Sequence, residues 1–428
     1  MNYPDSVQFL YALGNEIKTA KFGLERIRTV LEALGNPQDR CRFVHIAGTN
    51  GKGSTCAMIE SALRAAGHRT GMFISPHLSE PTERISIAGE PVSVAAFTQA
   101  FNRVHQVVEE LLDRGAVDLH TSYFETVTAM AFLIFAEERT TMVALETGLG
   151  GRLDATNVVR PEMCVITPID FDHEAYLGRS LEAIAAEKAG ILKSGVPAVF
   201  ARQRPEAGEV LERRAAELGI PVSRAAEWSI CELELSARGS RFTLVAPAPG
   251  TLHLRIECPL AGEHQVENAV TAAMALVQLG VPPHAIEQGI ARARWPGRLE
   301  HICEDPEILL DGAHNPAGAR ALAAYLDRFY RTRRVRMIYG AMRDKAVEEV
   351  CAILFPHARQ VVATAPDQPR ALHPQAIRDL AAHPDLRLAA TLREALELVR
   401  DATPEDAIVI TGSLYLVGEA RTLLQARP

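Results

Sequence analysis

The sequence predicts an α/β protein of two domains. The first is an N-terminal P-loop domain with a parallel sheet and a small β element; the second is a C-terminal Rossmann-like α/β domain. Three observations carry this expectation. Compact apolar runs alternate with helix-length stretches, the pattern of strands joined by crossover helices. A glycine-rich turn links the first of those runs to a helix. The irregular segment Trp295-Pro296-Gly297-Arg298 then separates two such alternations, which sets expected boundaries of 1–296 and 297–428. A chain of 428 residues is also too long for one ordinary core.

Taken in order, Arg42–Ala47 reads as a strand running into the turn, and Ser54–Ala66 as a helix ended by Gly67. The runs 141–145 and 163–167 are compact and apolar, which suits strands buried on both faces of a parallel sheet. Helical patterns fall at 94–112, 123–138 and 181–193. From Pro221 to Pro259 shorter alternating pieces, such as 241–245 and 252–256, imply a small antiparallel β element. Helices over 264–279 and 283–292 follow. Beyond the break, apolar runs at 308–310, 335–339, 361–363 and 407–410 start a second parallel-sheet alternation of ordinary domain size.

Composition narrows the function classes. Hydrophobic residues at 47% and charged residues at 23% are those of a globular protein. No apolar run approaches the ~18 residues of a membrane span, and Met1–Asp5 has no signal pattern, so a cytoplasmic location is expected. A formal charge of −8 argues against binding nucleic acid or anionic membrane. The seven cysteines are scattered without a C-x-x-C pair, so neither a zinc site nor a disulfide framework is expected.

Gly48-Thr49-Asn50-Gly51-Lys52-Gly53-Ser54-Thr55 is the segment with the clearest chemistry. Its glycines let backbone approach a polyanion, and the following helix start offers free amides and a positive dipole end. Lys52 can lie along the β/γ-phosphates, while Ser54 or Thr55 can hold a metal ion or phosphate oxygen. Its spacing departs from the common G-x-x-x-x-G-K-[ST] loop.

GTNGKGST is the loop variant of the Mur ligase superfamily, and the rest of the chain resembles its folylpolyglutamate synthase branch. The resemblance rests on Ser75-Pro76-His77-Leu78 with Glu83-Arg84-Ile85, and on the run Glu146 to Asn157 (ETGLGGRLDATN). It continues through Asp172-His173, Leu177-Gly178 and Glu187 to Ile191 (EKAGI). Gly262 to Ala269 (GEHQVENA), Pro296-Gly297-Arg298, Asp311 to Pro316 (DGAHNP) and Thr411 to Tyr415 (TGSLY) complete it. Matches extend from Thr19 to Val417 in family order.

The resemblance implies a P-loop ATPase domain and an ATP-dependent ligase. Such an enzyme phosphorylates a substrate carboxylate and lets the amine of L-glutamate attack the acyl phosphate. The implied cofactors are ATP and two Mg²⁺ ions. Gly51, Lys52, Gly53, Ser54 and Thr55, with Asn268, Arg298, Asp311 and His314, are the implied nucleotide contacts. Ser75 and Glu146 are implied for one metal ion, and His173 with the Lys188 region, Glu146 bridging, for a second. Lys52, Lys188 and His173 are the implied catalytic groups. For a pterin-bearing acid, dihydropteroate or a reduced folate, the implied contacts are Gly23, Leu24, Ser122, Tyr123, Phe124, Glu125, Leu153, Asp154 and Ala155. Phe124 reads equally as a core residue of the following helix.

Lys188 matches the family lysine that is carbamylated. An ammonium about 4 Å from a divalent ion, at an effective dielectric constant of about 20, would be repelled by about 8 kcal/mol. A carbamate removes that conflict; a plain ammonium on the acyl phosphate is the alternative. The expected partners are small molecules only, acting on a monomer. Ser79-Glu80-Pro81-Thr82, Ser180 and parts of 171–176 depart from the family pattern without removing a phosphate or metal ligand. Two other functions stay open. A Mur-type ligase on another acid usually carries an extra N-terminal domain, for which the segment before Gly48 is short. An ATP-driven switch would need only the loop.

Overall fold

The computed structural model describes residues 1–14, 23–247 and 252–425; Thr19, where the resemblance begins, lies outside them. The chain forms two compact units. One comprises Met1–Cys231, Thr243–Ile256 and Glu267–Ala293; the other comprises Glu232–Phe242, Glu257–Val266 and Arg294–Pro428.

The first unit is built on an eight-stranded sheet. Its strands are β1 (Phe43–Ala47), β2 (Thr70–Phe73), β3 (Ile85–Ile87), β4 (Glu90–Pro91), β5 (Met142–Glu146), β6 (Met163–Ile166), β7 (Ala198–Phe200) and β8 (Val222–Arg224). They lie in the order β4-β3-β2-β5-β1-β6-β7-β8. The stretch from β2 to β8 is parallel, and β3 and β4 add an antiparallel edge. Every residue of β1, β5 and β6 is buried, which is why these strands are apolar apart from His45 and the terminal Glu146.

Helices α1 (Tyr3–Ala12), α2 (Glu25–Ala33), α3 (Lys52–Ala65), α4 (Val94–Asp113) and α5 (Tyr123–Glu137) precede β6. α6 (Glu174–Leu177), α7 (Leu181–Ala189), α8 (Pro205–Leu218), α9 (Glu263–Gln278) and α10 (Pro283–Ala291) follow. α5 is buried over nearly its whole length, and Phe132 and Phe135 are 0% exposed. Truncating either ring to alanine would cost about 3–5 kcal/mol. Ser122 starts α5 through a reciprocal capping box with Glu125. Two expectations shift here. The helix read as 181–193 ends at Ala189, and that after the phosphate loop begins at Lys52 rather than Ser54.

Three short strands, β9 (Ser229–Ser236), β10 (Gly239–Val245) and β11 (His253–Cys258), form the small sheet in the order β11-β10-β9. Only two residues join β9 to β10, so that pair is antiparallel. Along β11 burial alternates strictly, the signature of a half-covered strand.

The second unit holds β12 (Glu300–Glu304), β13 (Glu307–Asp311), β14 (Arg334–Tyr339), β15 (Gln360–Ala363), β16 (Leu386–Leu388) and β17 (Asp406–Thr411). Their order is β12-β13-β17-β14-β15-β16, parallel apart from β12 on β13. The helices here are α11 (Pro316–Phe329), α12 (Val347–Leu354), α13 (Pro374–Leu380), α14 (Leu392–Glu397) and α15 (Leu414–Gln425). Among the described residues no helix is long and apolar enough to cross a membrane.

Candidate active site at the phosphate loop

Four loops leave the carboxyl ends of the neighbouring strands β2, β5, β1 and β6, where the strand order reverses. Ligands of open α/β sheets bind at such a switch point. The loop after β1 begins at Gly48. Thr49 and Asn50 donate their amides to the Pro168 carbonyl at 3.0 and 3.3 Å, and the Thr49 hydroxyl donates to the Asp170 carbonyl at 2.9 Å. The loop is thereby stitched to the one after β6. Gly51, at φ 84°, caps α3. A Cβ there would lie 2.2 Å from Asn268 Oδ1, so the absent side chain is what lets Asn268 reach the loop.

Lys52 Nζ donates to the Thr49 carbonyl at 3.1 Å and stands 3.9 Å from Glu146 Oε1. Glu146 ends β5, and its Oε2 accepts from the Ser75 amide at 3.2 Å. The hydroxyl oxygens of Ser75 and Thr55 are buried without a partner among the described residues. An orphaned buried hydroxyl costs about 1–3 kcal/mol unless something else meets it. A carboxylate beside such hydroxyls is a donor set for a hard cation. Gly53 and Ser54 lie in the first turn of α3, with Ser54 buried.

Lys188 is buried on α7, and its Nζ donates to the Gly48 carbonyl at 2.6 Å. Burial, then repulsion from Lys52, pushes its pKa down to about 7, against the pull of Asp172 and Asp154. What brings it there is backbone packing: a Cβ on Gly190 would lie 2.4 Å from the Arg152 Cα. Arg152 also donates to the Glu187 carboxylate at 2.9 Å, and the Asn157 amide donates to the Arg152 and Gly190 carbonyls. The glycine-rich run after β5 therefore serves as the seat of α7. Asp154 organises that run by accepting from the Leu149 and Thr156 amides at 2.8 and 3.0 Å, between Leu153 and the buried Ala155. His173, at φ 52°, is half-buried, with Nε2 3.9 Å from Asp172 Oδ1.

A second group of expected residues gathers where α2 meets α5. Gly23 and Leu24 lead into α2, and Arg26 of that helix forks onto Glu125 at 2.7 and 3.1 Å. Tyr123 stacks on Tyr11 at 5.8 Å, and the Arg84 guanidinium lies 4.9 Å from its ring centroid. Arg84 donates to His77 Nδ1 at 2.9 Å, so Nε2 carries the proton toward the Tyr11 hydroxyl at 3.3 Å. Burial, reinforced by Arg84, drops the His77 pKa to about 3. Phe124 packs against Phe73 in the core. No role was expected for Tyr11, His77 or Arg84; His77 and Arg84 stand inside family-like motifs, whereas Tyr11 carries no sequence signal.

In the second unit Asp311 ends β13 and accepts from the Leu299 and Ala313 amides, both at 3.0 Å. Burial raises its pKa, and the nearby Arg298 opposes that. Arg298 donates to the Gly297 carbonyl at 3.2 Å; His314 Nδ1 donates to the Gly312 carbonyl at 2.8 Å. His264, quoted only as part of a motif, also lies near Arg298, and burial with that charge lowers its pKa to about 4.

Residues 46–276 match the Mur ligase middle domain, and residues 297–414 match the Mur ligase glutamate ligase domain. The chain is 37% identical over 443 residues to a dihydrofolate synthase/folylpolyglutamate synthase of Mycobacterium tuberculosis, covering 95% of this chain and 90% of that one. It superposes on the M. tuberculosis folylpolyglutamate synthase complexed with ADP and AMPPCP with a TM-score of 0.91 and 35% identity, covering 100% of both chains. Against Escherichia coli FolC in complex with DHPP and ADP the TM-score is 0.87 at 32% identity, covering 99% of this chain and 98% of that one. By its domain matches, its relatives and its fold, the chain belongs to the dihydrofolate synthase/folylpolyglutamate synthase family of the Mur ligases.

Proposed function

We propose that this protein is an ATP-dependent ligase joining L-glutamate to a folate-type carboxylate, dihydropteroate or a reduced folate, through an acyl phosphate. The observation that carries the reading is the meeting of Lys52, Glu146, Ser75 and Lys188 around one phosphate loop at the sheet's switch point. Lys52 and the α3 amides bind the triphosphate and neutralise charge as the γ-phosphoryl moves to the substrate carboxylate. The glutamate amine then forms the C–N bond, phosphate leaves with the C–O electron pair, and the amine loses a proton.

Ser75 and Glu146 would hold one Mg²⁺, and the buried unpartnered Ser75 hydroxyl fits that role. His173 would contribute to a second. These ions supply charge neutralisation on the phosphates when bound. Asn268, Arg298, Asp311 and His314 complete the proposed nucleotide contacts. Gly23, Leu24, Ser122, Tyr123, Glu125, Leu153, Asp154 and Ala155 are proposed for the pterin-bearing acid, with Phe124 as the packing beneath them.

Lys188 is proposed to be carbamylated. With a pKa near 7 a large share of its amine is neutral at neutral pH, and its lone pair can attack CO₂. A C–N bond forms, one C=O π pair moves onto oxygen, and the nitrogen proton leaves to solvent. A single copy is the proposed working unit.

Incubation with ATP, Mg²⁺ and glutamate, offering dihydropteroate and tetrahydrofolate separately, should give glutamylated product by mass together with ADP and phosphate. ADP release independent of glutamate would favour a switch instead. Turnover of a UDP-linked acid, and of neither pterin, would move the reading to another Mur ligase.

A further inference from the structure

Away from the phosphate loop, α4 carries His105 and Glu109 four residues apart, on one helical face. His120 lies in the segment between α4 and α5. His105 Nδ1 is 3.4 Å from His120 Nε2, and Glu109 Oε1 is 3.8 Å from each of those nitrogens. Bonds of about 2.0–2.1 Å around a tetrahedral ion place neighbouring donors about 3.3 Å apart. A contraction of a few tenths of an ångström would therefore bring all three donors onto one ion.

The rings are set for this. His120 Nδ1 lies 3.0 Å from the Thr121 carbonyl, which can only accept, so Nδ1 carries the proton. In the neutral ring the lone pair is then on Nε2, which faces His105 and Glu109. Imidazole ligands of metals are oriented by this kind of outer hydrogen bond. Phe9 packs on both rings, at 4.7 Å from His105 and 5.4 Å from His120, and Phe101 stacks on His105 at 5.6 Å.

We propose that His105, Glu109 and His120 form a metal site for a borderline divalent ion of the Zn²⁺ type, with a fourth position open to water. Two imidazoles and a carboxylate select such an ion over Mg²⁺, which prefers an all-oxygen shell. The site would act as a clamp. Phe9 and Tyr11 lie on α1, and Tyr11 stacks on Tyr123, while His120 stands just before the Ser122 cap of α5. An ion here would tie α4 to the segment entering α5 and steady the wall formed by Tyr11 and Tyr123. This revises the expectation, drawn from the cysteines, that no zinc site is present.

The test uses full-length protein stripped with a chelator and titrated with Zn²⁺ alone or Co²⁺ alone. A His173→Ala background keeps an active-site imidazole from contributing. The parent should bind one more equivalent than His105→Asn/His120→Asn, and its Co²⁺ form should show tetrahedral ligand-field bands that the double variant lacks. Glu109→Gln, on an exposed carboxylate, should keep the fold and weaken binding by about 10–100-fold, the range expected for perturbing a metal shell. It decides the matter if the double variant misfolds. Equal stoichiometry in parent and variants, with no tetrahedral Co²⁺ spectrum in the parent, would overturn the proposal.

Discussion

Replacing Lys188 with methionine should stabilise the protein near neutral pH while abolishing turnover. The pKa of Lys188 falls from 10.5 to about 7 on folding, chiefly through burial. Between those values the unfolded chain holds a proton that the folded chain has lost, so this lysine makes wild-type stability rise with pH from about 7 to 10.5. Below about 7 both states are protonated and the full burial penalty is present. At about 1.36 kcal/mol per pH unit, the penalty is about 4 kcal/mol at pH 7 and about 1.4 kcal/mol at pH 9.5. Methionine removes it, but leaves the Gly48 carbonyl without its 2.6 Å donor. That loss costs about 1–3 kcal/mol. The net gain at pH 7 is thus about 1–3 kcal/mol, or roughly 2–6 °C in melting temperature at about 2 °C per kcal/mol. At pH 9.5 the gain should vanish or reverse. The assay is thermal unfolding of both proteins from pH 6 to 9.5 in CO₂-free buffer, repeated with bicarbonate. Bicarbonate should narrow the gap at neutral pH by converting the lysine to its carbamate. A methionine variant less stable than wild type at pH 7 without CO₂, or a gap that ignores pH, would refute the reasoning. Normal turnover by the variant would remove Lys188 from the reaction.

Lys52→Ala should lower turnover by about 10²–10³-fold with an unchanged circular dichroism spectrum, because the lysine supplies charge rather than packing; retention of more than a tenth of the activity would exclude the loop assignment. Ser75→Ala removes a buried hydroxyl that has no partner, so it should leave the melting temperature unchanged or raised. It should nevertheless increase the Mg²⁺ concentration needed for half-maximal rate, and an unaltered Mg²⁺ dependence would show that Ser75 is not a ligand. Gly190→Ala forces a methyl against the Arg152 backbone and cannot be relieved by a side-chain rotation. It should cost about 1–3 kcal/mol and most of the turnover by shifting Lys188, a loss that measurement of both quantities would check.

The sequence by itself determined most of the architecture and pointed to the centre of the candidate site. Fully buried parallel strands must be mostly apolar, so the apolar centres of β1, β5, β6, β13 and β17 were legible. A glycine loop with a lysine between a strand and a helix marked the candidate phosphate-binding turn, and Glu146 was visible as a carboxylate at a strand's end. These features are local: they depend on residues within one turn or one strand.

Only the tertiary structure decided what lies between distant segments. Lys188 stands 140 positions from Gly48, yet its amine rests on that carbonyl, and its lowered pKa comes from burial that no local pattern encodes. Tyr11, His77, Arg84 and Tyr123 form one cluster although they come from α1, the segment after β2 and α5. The rings of His105, on α4, and His120, in the segment before α5, likewise meet only in the folded chain, where Phe9 packs on both and Phe101 on His105. Side-chain chemistry is written residue by residue, whereas proximity and solvent exclusion are set by how helices pack on a sheet.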